Sequence, residues 1–148
     1  MRKSILSVIV ALGVVNANPS ITTAAPKTYG DIPVNRILSV HDGDTILVSM
    51  DSVHPLIGNR ISVRIRGIDT PEIMGRCTDE RNRAYAAREF VKKTLTAAKV
   101  VTLRDVGRDK YFRVLADIDI DGADLGPLIL EEGFGRPYAG GKKQTWCP

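Results

Sequence analysis

The chain has 148 residues, of which 21 are basic and 17 acidic, and its formal net charge is +4. This length is enough for one domain with one hydrophobic core and excludes a chain of several domains. The small positive charge permits nucleic-acid binding but does not require it, because a nucleic-acid interface depends on a distinctly basic patch.

The N-terminus has the layout of a signal peptide. Arg2 and Lys3 precede an apolar run at residues 5–15, which is too short for an ordinary transmembrane helix. We expect cleavage after Ala17, with Ala25 as the second choice, and no stable membrane anchor afterwards. Cleavage after Ala17 removes two basic residues and lowers the net charge to +2. The predicted location is therefore secreted or periplasmic.

Residues 18–33 contain three prolines and no sustained apolar period, so they are predicted to form a disordered leader. The domain is expected at residues 34–140. It begins with two predicted strands, at 34–41 and 46–50, on either side of the tight-turn sequence D-G-D-T at Asp42–Thr45. In residues 60–68, Val63 and Ile65 alternate with arginines, which is the period of a half-buried third strand.

The third strand leads into a stiff loop that carries two carboxylates. Pro71 fixes its own φ and favours an extended Thr70, so the Thr70 carbonyl is held in one direction. Asp69 and Glu72 provide hard oxygen donors, and Arg64 lies five residues before Asp69. These groups are what a divalent cation and a phosphate would need in one place.

The second half of the domain is predicted to contain helices and two more strands. Thr78 with Asp79 and Glu80 is typical of a helix start, and apolar residues at intervals of three and four continue to about Ala98. Strands are predicted at 100–106 and 111–120, a short helix between Pro127 and Gly133, and a tail at 141–148. The fold class is mainly β with α: a five-stranded OB-type barrel with a helix between strands three and four.

Two cysteines, Cys77 and Cys147, form an even count in a chain that is expected to be exported. A disulfide between them is the leading interpretation, and two free thiols are the alternative. On the chain-entropy model such a bridge would stabilise the fold by about 4 kcal/mol.

Three sequence blocks resemble the signature blocks of the staphylococcal nuclease (thermonuclease) family, in the same order and at similar spacing. They are D-G-D-T at Asp42–Thr45, R-x-x-x-x-D-T-P-E at Arg64–Glu72 and D-K-Y-F-R at Asp109–Arg113. The resemblance covers roughly residues 36–138. It implies an OB-type barrel and a Ca²⁺-dependent phosphodiesterase that cleaves DNA and RNA with little sequence preference.

The resemblance also implies a role for individual residues. The metal ligands fall on Asp44, Asp69 and the Thr70 carbonyl, and nucleic acid is the implied partner. No obligate protein partner is indicated. The catalytic residues fall on Arg64, Glu72 and Arg113, and the substrate-binding residues on Lys110, Tyr111 and Tyr138.

The sequence departs from the family pattern in three places. Phe112 stands where the family often has glycine, the connection between Thr45 and Arg64 is longer, and the chain stops soon after Trp146, without the family's C-terminal helix. The alternative function is therefore an OB-fold module that binds nucleic acid or a protein without cleaving it. Retention of the catalytic positions favours the enzyme.

Several residues near these blocks have simpler interpretations. Asp42 is a turn former, His41 a hairpin side chain and Tyr85 a packing or surface residue of the helix. Lys142 and Lys143 are interpreted as part of a solvated tail, with attraction of phosphate as the alternative.

Overall fold

The structure is a computed structural model that describes residues 28–148. The predicted signal peptide, with either end, and leader residues 18–27 lie outside the described residues. Within residues 28–148, no helix has both the length and the apolar character needed to cross a membrane. The strands are β1 (Ile32–Pro33), β2 (Arg36–Asp42), β3 (Thr45–Ser49), β4 (Ile61–Ile65), β5 (Ile68–Asp69), β6 (Val101–Arg108), β7 (Val114–Ile120), β8 (Ala123–Asp124) and β9 (Arg136–Pro137). The helices are α1 (Pro55–Gly58), α2 (Thr78–Ala97) and α3 (Leu125–Glu131).

Most strands form one curled sheet in the order β1-β6-β7-β4-β3-β2, with β8 on β7. The β4–β7 pair is parallel and its neighbouring pairs are antiparallel. The amide of Val34 donates to Val101 in β6, and that of Asn35 donates to Ser49 in β3, each at 3.0 Å. These two bonds join strands near opposite edges, so the sheet curls into a half-barrel. The predicted mainly-β, OB-type fold with its helix between the third and fourth long strands is confirmed.

The core lies between the curled sheet and the helices. Alternate residues of the central strands point inward, as the period of two predicts, and Ile46, Val63 and Ile118 are fully buried. The apolar face of α2 closes the core through Ala84, Ala87, Val91 and Leu95, all buried. The predicted helix face is therefore confirmed, and burial of this face stabilises α2 more than helix propensity alone.

The predicted disordered leader extends too far into the domain. Tyr29 donates its amide to Val106 at 2.7 Å, and Ile32 pairs with Leu103, so residues 29–33 run along the edge of the sheet. A two-residue strand is too short to show a period of two, and Pro33 obscures it further. The edge of β6 is what orders this segment.

Several element boundaries also differ from the prediction. The third strand breaks at Gly67, which has φ +78°, so β5 leaves the main sheet and pairs with β9. The fifth long strand begins at Val114 rather than Tyr111, because residues 109–113 form a turn. Helix α2 begins at Thr78 with Cys77 as its N-cap, where Thr78 itself was expected to be the cap.

Candidate functional site

The turn between β2 and β3 positions two buried carboxylates. Asp42 accepts a hydrogen bond from the Asp44 amide at 3.2 Å, which is the turn-forming role expected of Asp42. Gly43 at the centre has no room for a side chain. A Cβ there would lie 2.8 Å from Thr70 Cγ2 and 2.9 Å from Ala87 Cβ. The turn is therefore packed tightly against the loop after β5 and against α2.

Strands β4 and β5 bring a third carboxylate, that of Asp69, close to the Asp44 carboxylate. Arg64, only 6% exposed, pairs through Nη1 with Asp44 Oδ1, and its Nη2 lies 3.9 Å from Asp69 Oδ1. The same Nη2 donates to the Ile68 carbonyl at 3.0 Å. Asp44 Oδ2 accepts the Thr70 amide at 2.9 Å. Asp44, Arg64, Asp69 and Thr70 thus form one buried polar cluster.

A cavity of about 420 Å³ opens beside this cluster. Burial and the nearby charge of Glu72 raise the pKa of Asp42. Burial and the charge of Arg113 lower the pKa of Arg64. The residues predicted from separate sequence blocks therefore interact electrostatically. The charged side chains around the cavity are Asp42, Asp44, Arg64, Glu72, Arg113 and Lys143.

A larger groove of about 1030 Å³ continues from this cavity. The three residues implied as substrate-binding, Lys110, Tyr111 and Tyr138, line it together with Arg64 and Arg113. Tyr111 is 69% exposed, so its ring is available to stack on a base. The groove joins aromatic rings and cationic groups in one surface.

The turn at residues 109–113 holds Arg113 at the edge of the groove. Asp109 accepts the amides of Tyr111 and Arg113 at 2.9 Å each, and its Oδ2 lies 2.7 Å from Arg113 Nε. Burial alone would raise the pKa of Asp109, but the hydrogen bonds from Arg113 and Tyr111 outweigh it and lower the pKa. Asp109 is therefore a positioning residue for Arg113.

Glu80 is a site residue whose role the sequence analysis missed. It is buried, and its carboxylate accepts the amides of Arg76 at 3.0 Å and Glu72 at 3.5 Å. It thereby shapes the loop that carries Glu72. The spacing Cys77-x-x-Glu80 resembles a capping box, but that motif predicts a bond to the Cys77 amide and not the bonds to Arg76 and Glu72.

The C-terminal tail does not extend into solvent as expected. A disulfide joins Cys147 to Cys77, with Cα atoms 5.9 Å apart. Lys143 Nζ lies 2.8 Å from Asp69 Oδ1 and 2.6 Å from Glu72 Oε1. Partial burial would lower the pKa of Lys143, but its contacts with Asp69 and Glu72 outweigh burial and raise it. The ammonium is therefore charged and lies among the site carboxylates.

A comparison with known protein families identifies the domain. The family model described as "Staphylococcal nuclease homologue" matches residues 62–145, more than half of the chain. The chain belongs to the staphylococcal nuclease homologue family. The family expected from the three sequence blocks is thus confirmed, and two of those blocks, 64–72 and 109–113, lie inside the matched residues.

Curated members of the nuclease family show similarity over much of the chain. A thermonuclease of Staphylococcus hyicus is 30% identical over 117 residues, covering 78% of this chain and 62% of the relative. A thermonuclease of Staphylococcus intermedius is 35% identical over 98 residues, covering 66% and 55%. An SPbeta prophage-derived endonuclease of Bacillus subtilis is 32% identical over 112 residues, covering 74% and 35%. The chain spans less than two thirds of the length of each of these relatives.

Proposed function

We propose that this chain is a secreted or periplasmic Ca²⁺-dependent nuclease that hydrolyses phosphodiester bonds in DNA and RNA with little sequence specificity. The observation that carries the proposal is the arrangement of charged groups: Arg64 joins Asp44 and Asp69 in a buried cluster, and Asp44 and Arg64 line one cavity with Glu72 and Arg113. Family membership and relatives named as thermonucleases and an endonuclease support it.

The donor set fits calcium. Calcium takes oxygen ligands, and Asp44, Asp69 and the Thr70 carbonyl would hold it. Asp69 Oδ1 is buried beside the Lys143 ammonium at 2.8 Å, which offsets its charge and whose place calcium would take. A buried carboxylate is costly unless a cation offsets its charge. So few protein ligands would bind calcium weakly and leave positions for water and a phosphate oxygen.

Arg64 and Arg113 would hold the phosphate. Both guanidinium groups line the cavity and the groove, and each has a planar set of donors suited to phosphate oxygens. They would stabilise the negative charge that develops as the ester bond breaks. Bound calcium would supply further positive charge at the same phosphate.

Glu72 would act on the attacking water. Its side chain is 44% exposed and lines the same cavity as Arg64 and Arg113. It would accept a proton from water while the water oxygen bonds to phosphorus and the P–O ester bond breaks. The two products are a phosphate monoester and a free hydroxyl group.

Cleavage assays on single-stranded DNA, duplex DNA and RNA test this proposal directly. We expect cleavage with Ca²⁺, loss of cleavage with chelator, and a decrease of about 100-fold or more for Glu72→Gln. The cleavage activity of Arg113→Ala should decrease by a similar factor. Arg104→Ala is a matched control, because Arg104 is also exposed and pairs with an aspartate, Asp119, at 2.6 Å.

Two outcomes would reject the proposed calcium-dependent mechanism, and a third would reject the nuclease. Cleavage in the presence of chelator, or full activity of Glu72→Gln, would contradict the mechanism. Calcium-dependent binding of nucleic acid by the folded protein, without strand scission, would instead establish the non-catalytic OB module.

Export is supported by the disulfide between Cys77 and Cys147, since disulfides persist mainly in oxidising compartments. The test is the mass and location of the protein made from the full-length gene. A product that begins after Ala17 or Ala25 outside the cytoplasm is expected. Retention of the uncleaved chain in the cytoplasm would contradict export.

A further inference from the structure

The C-terminal segment 142–147 lies across the carboxylates of the candidate site. Lys143 Nζ contacts Asp69 Oδ1 at 2.8 Å and Glu72 Oε1 at 2.6 Å. Trp146 Nε1 donates a hydrogen bond to Asp69 Oδ2 at 3.1 Å. Both oxygens of Asp69 therefore contact this segment, through residues 74 and 77 positions further along the chain.

Contacts at residues 144–147, directly after Lys143, hold the segment in place. The Arg136 guanidinium stacks on the Trp146 ring, with Cζ 3.5 Å from the ring centroid. Arg136 also donates to Gln144 Oε1 at 3.1 Å and to the Thr145 carbonyl at 3.0 Å. Cys147 is bonded to Cys77 at the start of α2. These contacts hold the Lys143 ammonium near Asp69, so its effective concentration at the carboxylate is high.

The position of Lys143 conflicts with a cation on Asp69. Calcium binds carboxylate oxygens at 2.3–2.6 Å. An ammonium 2.8 Å from the same oxygen would repel a divalent cation at short range. Calcium binding thus requires the Lys143 ammonium to leave Asp69. Space for that movement exists, because Lys143 lines the cavity, the groove and a third pocket of about 790 Å³ beside Met74 and Arg76.

We propose that Lys143 is a tethered competitor for the divalent cation at Asp69 and Glu72. In the cation-free protein its ammonium neutralises the two carboxylates, and a bound cation displaces it. The disulfide and the Arg136–Trp146 stack keep the competitor close to the site. The proposal rests on the proposed function in one respect, the assignment of Asp69 as a cation ligand.

Calcium binding in the absence of nucleic acid tests the competition. The chain has a single tryptophan, and its indole N–H contacts Asp69, so Trp146 fluorescence reports on the site, with calorimetry as a second readout. We expect Lys143→Met to bind Ca²⁺ about tenfold more tightly than the wild type. Lys143→Arg should restore an affinity close to that of the wild type, since it keeps the positive charge.

Lys142→Met is the matched control. Lys142 is the exposed neighbour of Lys143 and makes no ion pair within residues 28–148, so its loss should leave Ca²⁺ affinity unchanged. Asp69→Asn should abolish binding and so locate the cation. A Cys77→Ser, Cys147→Ser double variant should also bind Ca²⁺ more tightly than the wild type, by a smaller factor than Lys143→Met.

Equal affinity of Lys143→Met and the wild type, or no Ca²⁺ binding by either protein, would overturn the proposal. Thermal unfolding of each variant establishes that it is folded, and Lys143→Met keeps the disulfide intact. The two proposals fail separately. Tighter Ca²⁺ binding by Lys143→Met, without cleavage by any variant or the wild type, would reject the nuclease proposal alone. Ca²⁺-dependent cleavage with equal Ca²⁺ affinity of Lys143→Met and the wild type would reject the competitor proposal alone.

Discussion

The candidate site has a buried half and an exposed half, and the two are built differently. Asp44 and Asp69 have side chains only 2% exposed, and Arg64 is 6% exposed. Arg64 and Asp69 lie in β4 and β5 and Asp44 lies in the β2–β3 turn, and Arg64 pairs with both carboxylates. This half is therefore part of the folded core, and its charges are stable only as a set.

The exposed half comes from loops and the C-terminal segment. Glu72 and Arg113 have side chains 44% exposed and Lys143 is 40% exposed. Their ion pairs are accessible to water and contribute little to folding. We infer that the buried half positions the proposed cation at a cost to stability, whereas the exposed half is free to move toward a substrate.

The largest expected effect follows from breaking the buried half. Arg64→Met leaves Asp44 and Asp69 buried without the guanidinium that they share, and we expect a loss of about 3–5 kcal/mol in the free energy of unfolding. Arg113→Met in the exposed half should cost less than about 1 kcal/mol. Urea unfolding of both variants measures the contrast. Equal losses would show that the site is not divided in this way.

Packing around the buried half provides a second test. Gly43→Ala places a Cβ 2.8 Å from Thr70 and 2.9 Å from Ala87, and should lower the free energy of unfolding by about 1–3 kcal/mol. Gly126→Ala is the control, because its nearest neighbour is at the ordinary distance of 3.6 Å. Urea unfolding should separate the two substitutions. Comparable stability would mean that the turn can shift away from the loop freely.

In the exposed half, we expect Phe112 to lower the free energy of unfolding. It has φ +66°, a region that disfavours residues with a Cβ, and its side chain is 75% exposed. Phe112→Gly should therefore raise the free energy of unfolding by about 1 kcal/mol. Phe112→Ala removes the ring but keeps the Cβ, so it isolates the backbone effect. The idea fails if glycine is no more stabilising than alanine in thermal unfolding.

The smallest effect concerns Asp109, which positions Arg113. Its folded-state pKa is lowered, so its contribution is complete above the ordinary value of 3.8 and is lost as the pH falls through the lower value. Asp109→Asn should cost less than about 1 kcal/mol at pH 7. The difference from the wild type should shrink below pH 3.8 in urea unfolding. A difference that grows toward low pH would have the wrong sign.

Local patterns accounted for the buried half well. The alternation around Val63 and Ile65 predicted β4, the D-G-D-T turn predicted the β2–β3 hairpin, and the spacing from Ala84 to Leu95 predicted α2. Each of these signals acts over a few residues, where backbone preference and burial agree. Two predicted boundaries were wrong. The third strand breaks at Gly67 because β5 pairs with a different strand, and the fifth long strand begins only at Val114 because a turn precedes it.

The exposed half and its cover were much harder to predict. Lys142 and Lys143 are adjacent in sequence and chemically identical, yet only Lys143 reaches Asp69 and Glu72. Nothing local distinguishes them. Glu80 looked like an ordinary acid in the first turn of a helix, and its bonds to the Arg76 and Glu72 amides depend on how the loop folds back.

Short-range periodicity and residues at fixed spacing were enough to predict the five long strands, the principal helix, the turn chemistry and the family. Only the tertiary structure decided that Asp44 and Asp69 share Arg64, and that the C-terminal segment covers Asp69. Those contacts join residues that are far apart in the chain, and curling of the sheet, packing of α2 and the disulfide between Cys77 and Cys147 together bring them within bonding distance.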